Sequence, residues 1–130
     1  LVALYLEPEM MHKTVIILGA LLSAFAVLFG AFGAHLLQPI LIENGKENTY
    51  DTAIIYLIFH SLGVLISGIT LKNSKWIALF FLLGIFFFSG SLIILSLTKV
   101  PVMGALAPLG GSCFVIGWVL FARNIYFKPE

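Results

Sequence analysis

Two histidines, a tyrosine and a Ser-Gly-Ser turn are the residues of this chain with most chemistry to offer. His35 sits in the stretch GAFGAHLLQP, Gly30 to Pro39; Tyr56 and His60 stand four apart in TAIIYLIFHSL; Ser89-Gly90-Ser91 follows a run of phenylalanines. An imidazole titrates near pH 6.5 and can carry a proton or ligate a metal. A serine near a histidine suggests a nucleophile, but no acid accompanies Ser89 and His60 to complete a triad. His35, His60 and Cys113 are candidate metal or haem ligands without the spacing of a ligand motif. No GxSxG, HExxH or phosphate-binding loop occurs. These residues predict no catalytic site, no metal and no cofactor, and the chain reads as a non-enzyme.

The elements that must hold these residues follow from composition. Of 130 residues, 61% are hydrophobic and 10% charged, and the mean hydropathy is +1.11. Soluble domains use roughly 45–50% apolar residues, so there is too little polar surface here for a water-facing shell. The solvent must be lipid. A net charge of +1 without a basic stripe gives nucleic acid nothing to bind. The single Cys113 can form no disulfide within the chain.

A bilayer core needs about 20 apolar residues in helix. Four stretches qualify, at about 14–37, 53–71, 76–97 and 102–122, between an N-terminal tail (1–13) and a C-terminal tail (123–130). None alternates polar with apolar as barrel strands do. The fold class is all-α, an integral membrane bundle of four transmembrane helices. KNSK and TKVP are short connections that make their helices antiparallel neighbours, and ILIENGKENTYD is the one long loop, turning at Asn44-Gly45. Asn48 or Thr49 is expected to cap the second span. Met10 or Met11 reads as a natural start, which makes the first nine or ten residues a loose tail or a start-site extension. A cleavable signal core is usually 7–15 residues, shorter than the first span.

Four spans put both ends on one side. That side carries Lys13, Lys72, Lys75, Arg123 and Lys128, against Lys46 and Lys99 on the other. The positive-inside rule then predicts both termini in the cytoplasm, with Trp76, Trp118 and Tyr126 as an interfacial aromatic belt.

Helices in lipid associate through close backbone packing and hydrogen bonds. Ala26, Gly30 and Ala34 recur every four residues, and Gly63 and Ser67 do the same on the second span, so both sets are expected to be packing seams. Polar side chains turn away from lipid, because an unpaired donor in hydrocarbon costs several kcal/mol. Tyr56 and His60 should therefore face the bundle. Counting about 1.5 Å per residue, His60, Ser89-Gly90-Ser91 and Pro108 fall about 10 Å below the outer ends of their spans, with His35 shallower. Pro108 frees a carbonyl near Gly104. The expectation is one outer layer in which His35, Tyr56, His60, Ser89, Gly90, Ser91 and Pro108 form either a hydrogen-bonded knot or a small polar pocket.

GAFGAH at 30–35, TAIIYLIFHSL at 52–62, FFSGSL at 87–92 and APLGGSCFVIGW at 107–118 together resemble the DUF423 family of small four-helix membrane proteins, which includes the human transmembrane protein 256 type. The resemblance implies a multi-pass protein of a bacterial inner membrane or an organellar membrane, with His35, Tyr56, His60 and Ser89-Gly90-Ser91 at family motif positions. It brings no activity with it. The chain departs from the family at Ala107, where threonine is common, and at Ile93, where tyrosine is common; each departure removes a hydroxyl from the polar layer.

Two functions remain. The first is a structural or accessory protein of a membrane complex, in contact with lipid and a membrane-protein partner or a second copy. The second is a small homo-oligomeric transporter or channel that uses the pocket around His60. Coupled cation exporters of this size usually place an acid within a span, and no Asp, Glu, Lys or Arg lies within one of these.

Overall fold

A computed structural model describes residues 11–129. The expected N-terminal tail falls mostly outside them. Among the described residues the regular structure is helical: α1 (Lys13–Ala34), α2 (Gln38–Asn44), α3 (Glu47–Thr70), α4 (Lys75–Gly84), a π-helical segment (Ile85–Gly90), α5 (Ser91–Thr98) and α6 (Val102–Tyr126). Four helices are long and apolar enough to cross a membrane: α1, α3, the continuous Lys75–Thr98 and α6. The protein is an all-helical bundle of four membrane-spanning helices.

Each span leans mainly on the next. α1 packs along α3; α3 packs against the third span; the third span packs along α6. The buried residues of α3 include Tyr50, Ile54, Leu57, Ser61, Val64 and Gly68, and on α1 Gly19, Ala26 and Gly33 are buried seven apart. That spacing of threes and fours keeps one seam turned to a neighbour over the length of a helix. The seam on α1 differs from the expected stripe. Ala26 is buried, Gly30 is half-buried with room beside it, and Ala34 is exposed. Gly63 and Ser67 on α3 are both buried as expected.

The connection after α1 is more ordered than a loop. Pro39 stands in the first turn of α2, where a missing amide costs nothing. Gly45 ends that helix at φ 62°, a left-handed position that suits glycine. Asn44 Nδ2 donates to the carbonyls of Ser96 (2.9 Å) and Leu97 (3.2 Å), so α2 covers orphan carbonyls at the end of α5. α3 then begins at Glu47, about six residues earlier than expected, and neither Asn48 nor Thr49 caps it. At the opposite end α6 runs on to Tyr126, through part of the expected tail. His12 is also tied in: its side chain caps Val15 N, and its amide donates to Gly68 O at 2.8 Å.

Candidate functional site

His60 is 3% exposed and lies thirteen residues into α3. At about 1.5 Å per residue that is about 20 Å from the start of the helix, just past its middle. The longer α3 therefore moves His60 out of the expected outer layer and into the centre of the span. Its partner is Trp118 of α6, whose Nε1 donates to His60 Nε2 at 3.0 Å. An indole nitrogen can only donate, so Nε2 must be the unprotonated nitrogen. The ring proton then sits on Nδ1, 2.8 Å from the Tyr56 carbonyl oxygen to which it donates. Both ring nitrogens are committed, and the geometry selects the neutral Nδ1–H tautomer. A second ring proton would point at the indole N–H.

Aromatic rings enclose this pair. Phe114 stacks on the imidazole with centroids 3.5 Å apart and planes within 7°. Phe81 and Phe59 meet it edge-on at 5.5 and 5.1 Å. Glycines make the room. A Cβ on Gly63 would stand 3.0 Å from Phe81 and 3.3 Å from Trp118, and one on Gly117 would lie 2.6 Å from the Phe81 ring. A Cβ on Gly84 would collide with Phe114.

Of the other expected members only Tyr56 reaches this box, through its carbonyl and the edge of the ring stack. His35 is exposed at the end of α1, where its amide caps the helix through Ala31 O and Phe32 O. Tyr56 is 41% exposed, with its ring 4.5 Å from Phe88 and 5.9 Å from His60. Ser89 and Ser91 are buried, about two to two and a half turns from the end of the third span. Ser91 Oγ donates to Phe87 O at 2.5 Å and lies 3.0 Å from Phe88 O, while Ser89 Oγ has no partner among the described residues. Gly90 is half-buried, and a Cβ there would meet only Ile85 O, at 3.7 Å. Pro108 is exposed and α6 continues through it, lining an open recess of about 640 Å³ with Tyr56, Phe88 and Phe114. The expected outer layer, as knot or as pocket, is thus not a single buried cluster: His35, Tyr56 and Pro108 are exposed, and His60 alone bonds across to another span. Its members are spread over two depths, because the early start of α3 carries His60 deeper while Ser89 and Ser91 stay near the expected level; the serines sit where a π-helical segment passes into α5. A π turn is one residue wider than an α turn and misaligns the carbonyl ladder. The wide turn also presents Phe88, whose backbone nitrogen leaves no space for a Cβ on Gly110 of α6.

Trp118 was expected in the interfacial belt and is instead half-buried, its N–H turned inward. Trp76 and Tyr126 are 59% and 81% exposed at the end of the bundle, as a belt would have them. The signal that identifies Trp118 is the requirement of a mid-span histidine for a donor on a facing helix. Among the described residues no group of three or more His, Cys, Asp or Glu side chains could hold a metal ion.

A family model described as "Protein of unknown function (DUF423)" matches residues 29–111. The chain is 44% identical over 118 residues to the UPF0382 membrane protein SSP2132 of Staphylococcus saprophyticus, covering 88% of this chain and 98% of that one. It is 45% identical over 112 residues to a UPF0382 membrane protein of Staphylococcus epidermidis, covering 83% and 91%. With the UPF0382 membrane protein YwdK of Bacillus subtilis it shares 38% over 117 residues, covering 83% and 92%. No solved structure matches the chain. These near full-length relatives are named as membrane proteins, in accord with helices apolar enough to cross a bilayer, and the chain belongs to the DUF423 family.

Proposed function

We propose that this protein is a structural or accessory component of a membrane complex, without catalytic activity of its own. The observation that carries the reading is the hydrogen bonding of His60, the one titratable imidazole inside a span. Trp118 occupies Nε2 and the Tyr56 carbonyl takes the Nδ1 proton, so the ring serves as a strut between α3 and α6. A proton carrier needs a nitrogen free to exchange. The serine hydroxyls of the third span and Ser61, Ser67 and Ser112 on the others bond to carbonyls of their own helices or stay buried. Such groups do not form a polar path across the bundle.

The same reading puts both termini in the cytoplasm of a bacterium, with the protein in the cytoplasmic membrane, from the excess of Lys and Arg at one end. Single-cysteine labelling at Lys99→Cys and Lys128→Cys, in a Cys113→Ser background, tests the orientation. Only the first should react with an impermeant reagent in intact cells.

The deciding experiment is isolation of the tagged full-length chain from its own membrane under mild detergent, followed by native mass spectrometry. A second membrane protein in fixed ratio is expected. Proton-linked flux in liposomes that disappears in His60→Gln, with the fold intact, would overturn the accessory reading in favour of a homo-oligomeric transporter.

A further inference from the structure

The end of the bundle opposite Asn44 carries Lys13, Lys72, Lys75, Arg123 and Lys128. It also holds a cleft of about 360 Å³, well away from the aromatic box. Leu71, Lys72 and Asn73, between α3 and α4, form one wall; Asn124, Phe127, Lys128 and Pro129, at the end of α6, form the other. Two hydrogen bonds join the walls. Lys128 Nζ donates to Thr70 O at 2.8 Å, and Asn124 Nδ2 donates to Asn73 O at 3.4 Å. Arg123 stands beside them, its guanidinium 5.6 Å from the Phe127 ring centre.

Charge and depth narrow what fits. The acids among the described residues are Glu43, Glu47 and Asp51, all at the far end of the bundle, so none of them offsets these cations. Glu7, Glu9 and Glu130 lie outside the described residues. Trp76 and Tyr126 fix the level of the cleft, because such rings collect where headgroups meet hydrocarbon. The cleft is not purely polar: Leu71 is buried in its wall and Phe127 is 69% exposed at its edge.

We propose that this cleft binds the phosphodiester of an anionic membrane phospholipid. Lys72 and Lys128 face the phosphate, the amides of Asn73 and Asn124 supply further donors, and the first carbons of the acyl chains lie over Phe127 and Leu71. Basic pockets at this level recognise lipid headgroups by charge. A zwitterionic headgroup brings its own ammonium to these cations and is disfavoured. Free phosphate shares the anionic chemistry but makes no use of the apolar wall.

Native mass spectrometry of the full chain, released from mixed phosphatidylglycerol and phosphatidylcholine nanodiscs, tests the site. Phosphatidylglycerol should be retained about 25-fold over phosphatidylcholine, from two cations at about fivefold each. Lys72→Gln, which changes an exposed side chain, should lower that preference about fivefold. Lys99→Gln at the far end should leave it unchanged. Circular dichroism and indole fluorescence check that both variants keep the fold, and Arg123→Gln gives a second, smaller reduction if Lys72→Gln does not. Equal retention of the two lipids, or equal losses in Lys72→Gln and Lys99→Gln, overturns the proposal. Displacement of the lipid by millimolar inorganic phosphate overturns it too, and assigns the cleft to a soluble anion. None of these results depends on whether a protein partner is found.

Discussion

The seam between α1 and α3 and the seam between the third span and α6 both rely on glycine, and they use it differently. Along α1 and α3 glycine brings main chains together at Gly19 and Gly68, while Gly33 near the end of α1 admits the Tyr50 ring. A Cβ on Gly19 would stand 2.5 Å from Leu65 N and 2.6 Å from Leu65 Cα; one on Gly68 would stand 2.9 Å from Ile16 N. Between the third span and α6, glycine receives rings at two positions, and only Gly110 meets main chain, that of Phe87 and Phe88. Gly84 accepts Phe114 and Gly117 accepts Phe81, one notch on each helix filled from the other. The first arrangement gains dispersion contacts over a smooth backbone, the usual source of helix association in lipid. The second trades that closeness for aromatic area, and those rings then wall in His60. A ring can tilt when crowded. A backbone carrying a ladder of hydrogen bonds cannot, so the two seams should differ in what they tolerate.

The largest effect should come from main-chain collisions. Gly19→Ala pushes α1 off α3, and Gly110→Ala pushes α6 off the backbone of Phe88. Each should cost about 3 kcal/mol, the upper part of the overpacking range. Equilibrium unfolding in mixed micelles of rising sodium dodecyl sulfate fraction measures it. A loss below about 1 kcal/mol at Gly19 would mean that the main-chain seam yields as readily as the ring seam, and the contrast would fail.

Gly84→Ala comes next, at about 1–2 kcal/mol, because Phe114 can rotate away. That motion has a second readout. Phe114 is stacked on His60 at 3.5 Å, and His60 holds the Trp118 indole. Crowding Gly84 should shift indole emission, whereas Gly19→Ala should leave it in place as long as the bundle is folded. Equal emission shifts in the two variants would show that the seams are not separable.

How far these features were legible in the sequence depends on whether the cue was local. Apolar length gave the four spans, because a bilayer sets one requirement for each helix separately. Proline and glycine at 39 and 45 marked the chain's turns, but the seven residues around Pro39 and Asn44 fold as helix because Asn44 reaches Ser96 and Leu97, over fifty residues away. The stripe at 26, 30 and 34 follows single-helix geometry. The actual seam at 19, 26 and 33 follows the slower drift of two helices around one another, which only a partner fixes. Depth failed for a related reason. Counting from the apparent ends of the apolar runs put His60 too shallow and Trp118 too near the surface, since α3 begins at Glu47 and α6 continues to Tyr126. The π-helical segment gave no cue, because Ile85–Gly90 reads as ordinary span sequence and its wide turn answers to Gly110 on another helix.

The His60–Trp118 bond should contribute less than either kind of packing. Hydrogen bonds between helices in lipid average about 0.6 kcal/mol by double-mutant cycles, since the unfolded spans also find partners. A cycle of His60→Phe, Trp118→Phe and the double variant should give a coupling of about that size. Trp118→Phe alone should cost more than the coupling, because it leaves the buried Nε2 acceptor unpaired. A coupling near zero would make the pair ring packing only, and would remove the main support for the histidine as a strut.

The smallest effect tests the comparison from its blank side. Gly30 lies on α1 between seam residues, and a Cβ there would meet only Ile54 Cγ2, at 3.6 Å, an ordinary contact. Gly30→Ala should therefore change stability by no more than about 0.5 kcal/mol, and in the stabilising direction, because alanine restricts the unfolded backbone and favours helix. Gly19 and Gly30 share a helix, a residue type and a lipid environment, so their difference isolates what the neighbouring main chain does. If Gly30→Ala costs 2 kcal/mol or more while the isolated monomer stays folded, the face that carries Gly30 and the exposed Ala34 packs against something other than α3. A partner protein or a second copy would then own the stripe at 26, 30 and 34, and the accessory reading would gain a surface to go with it.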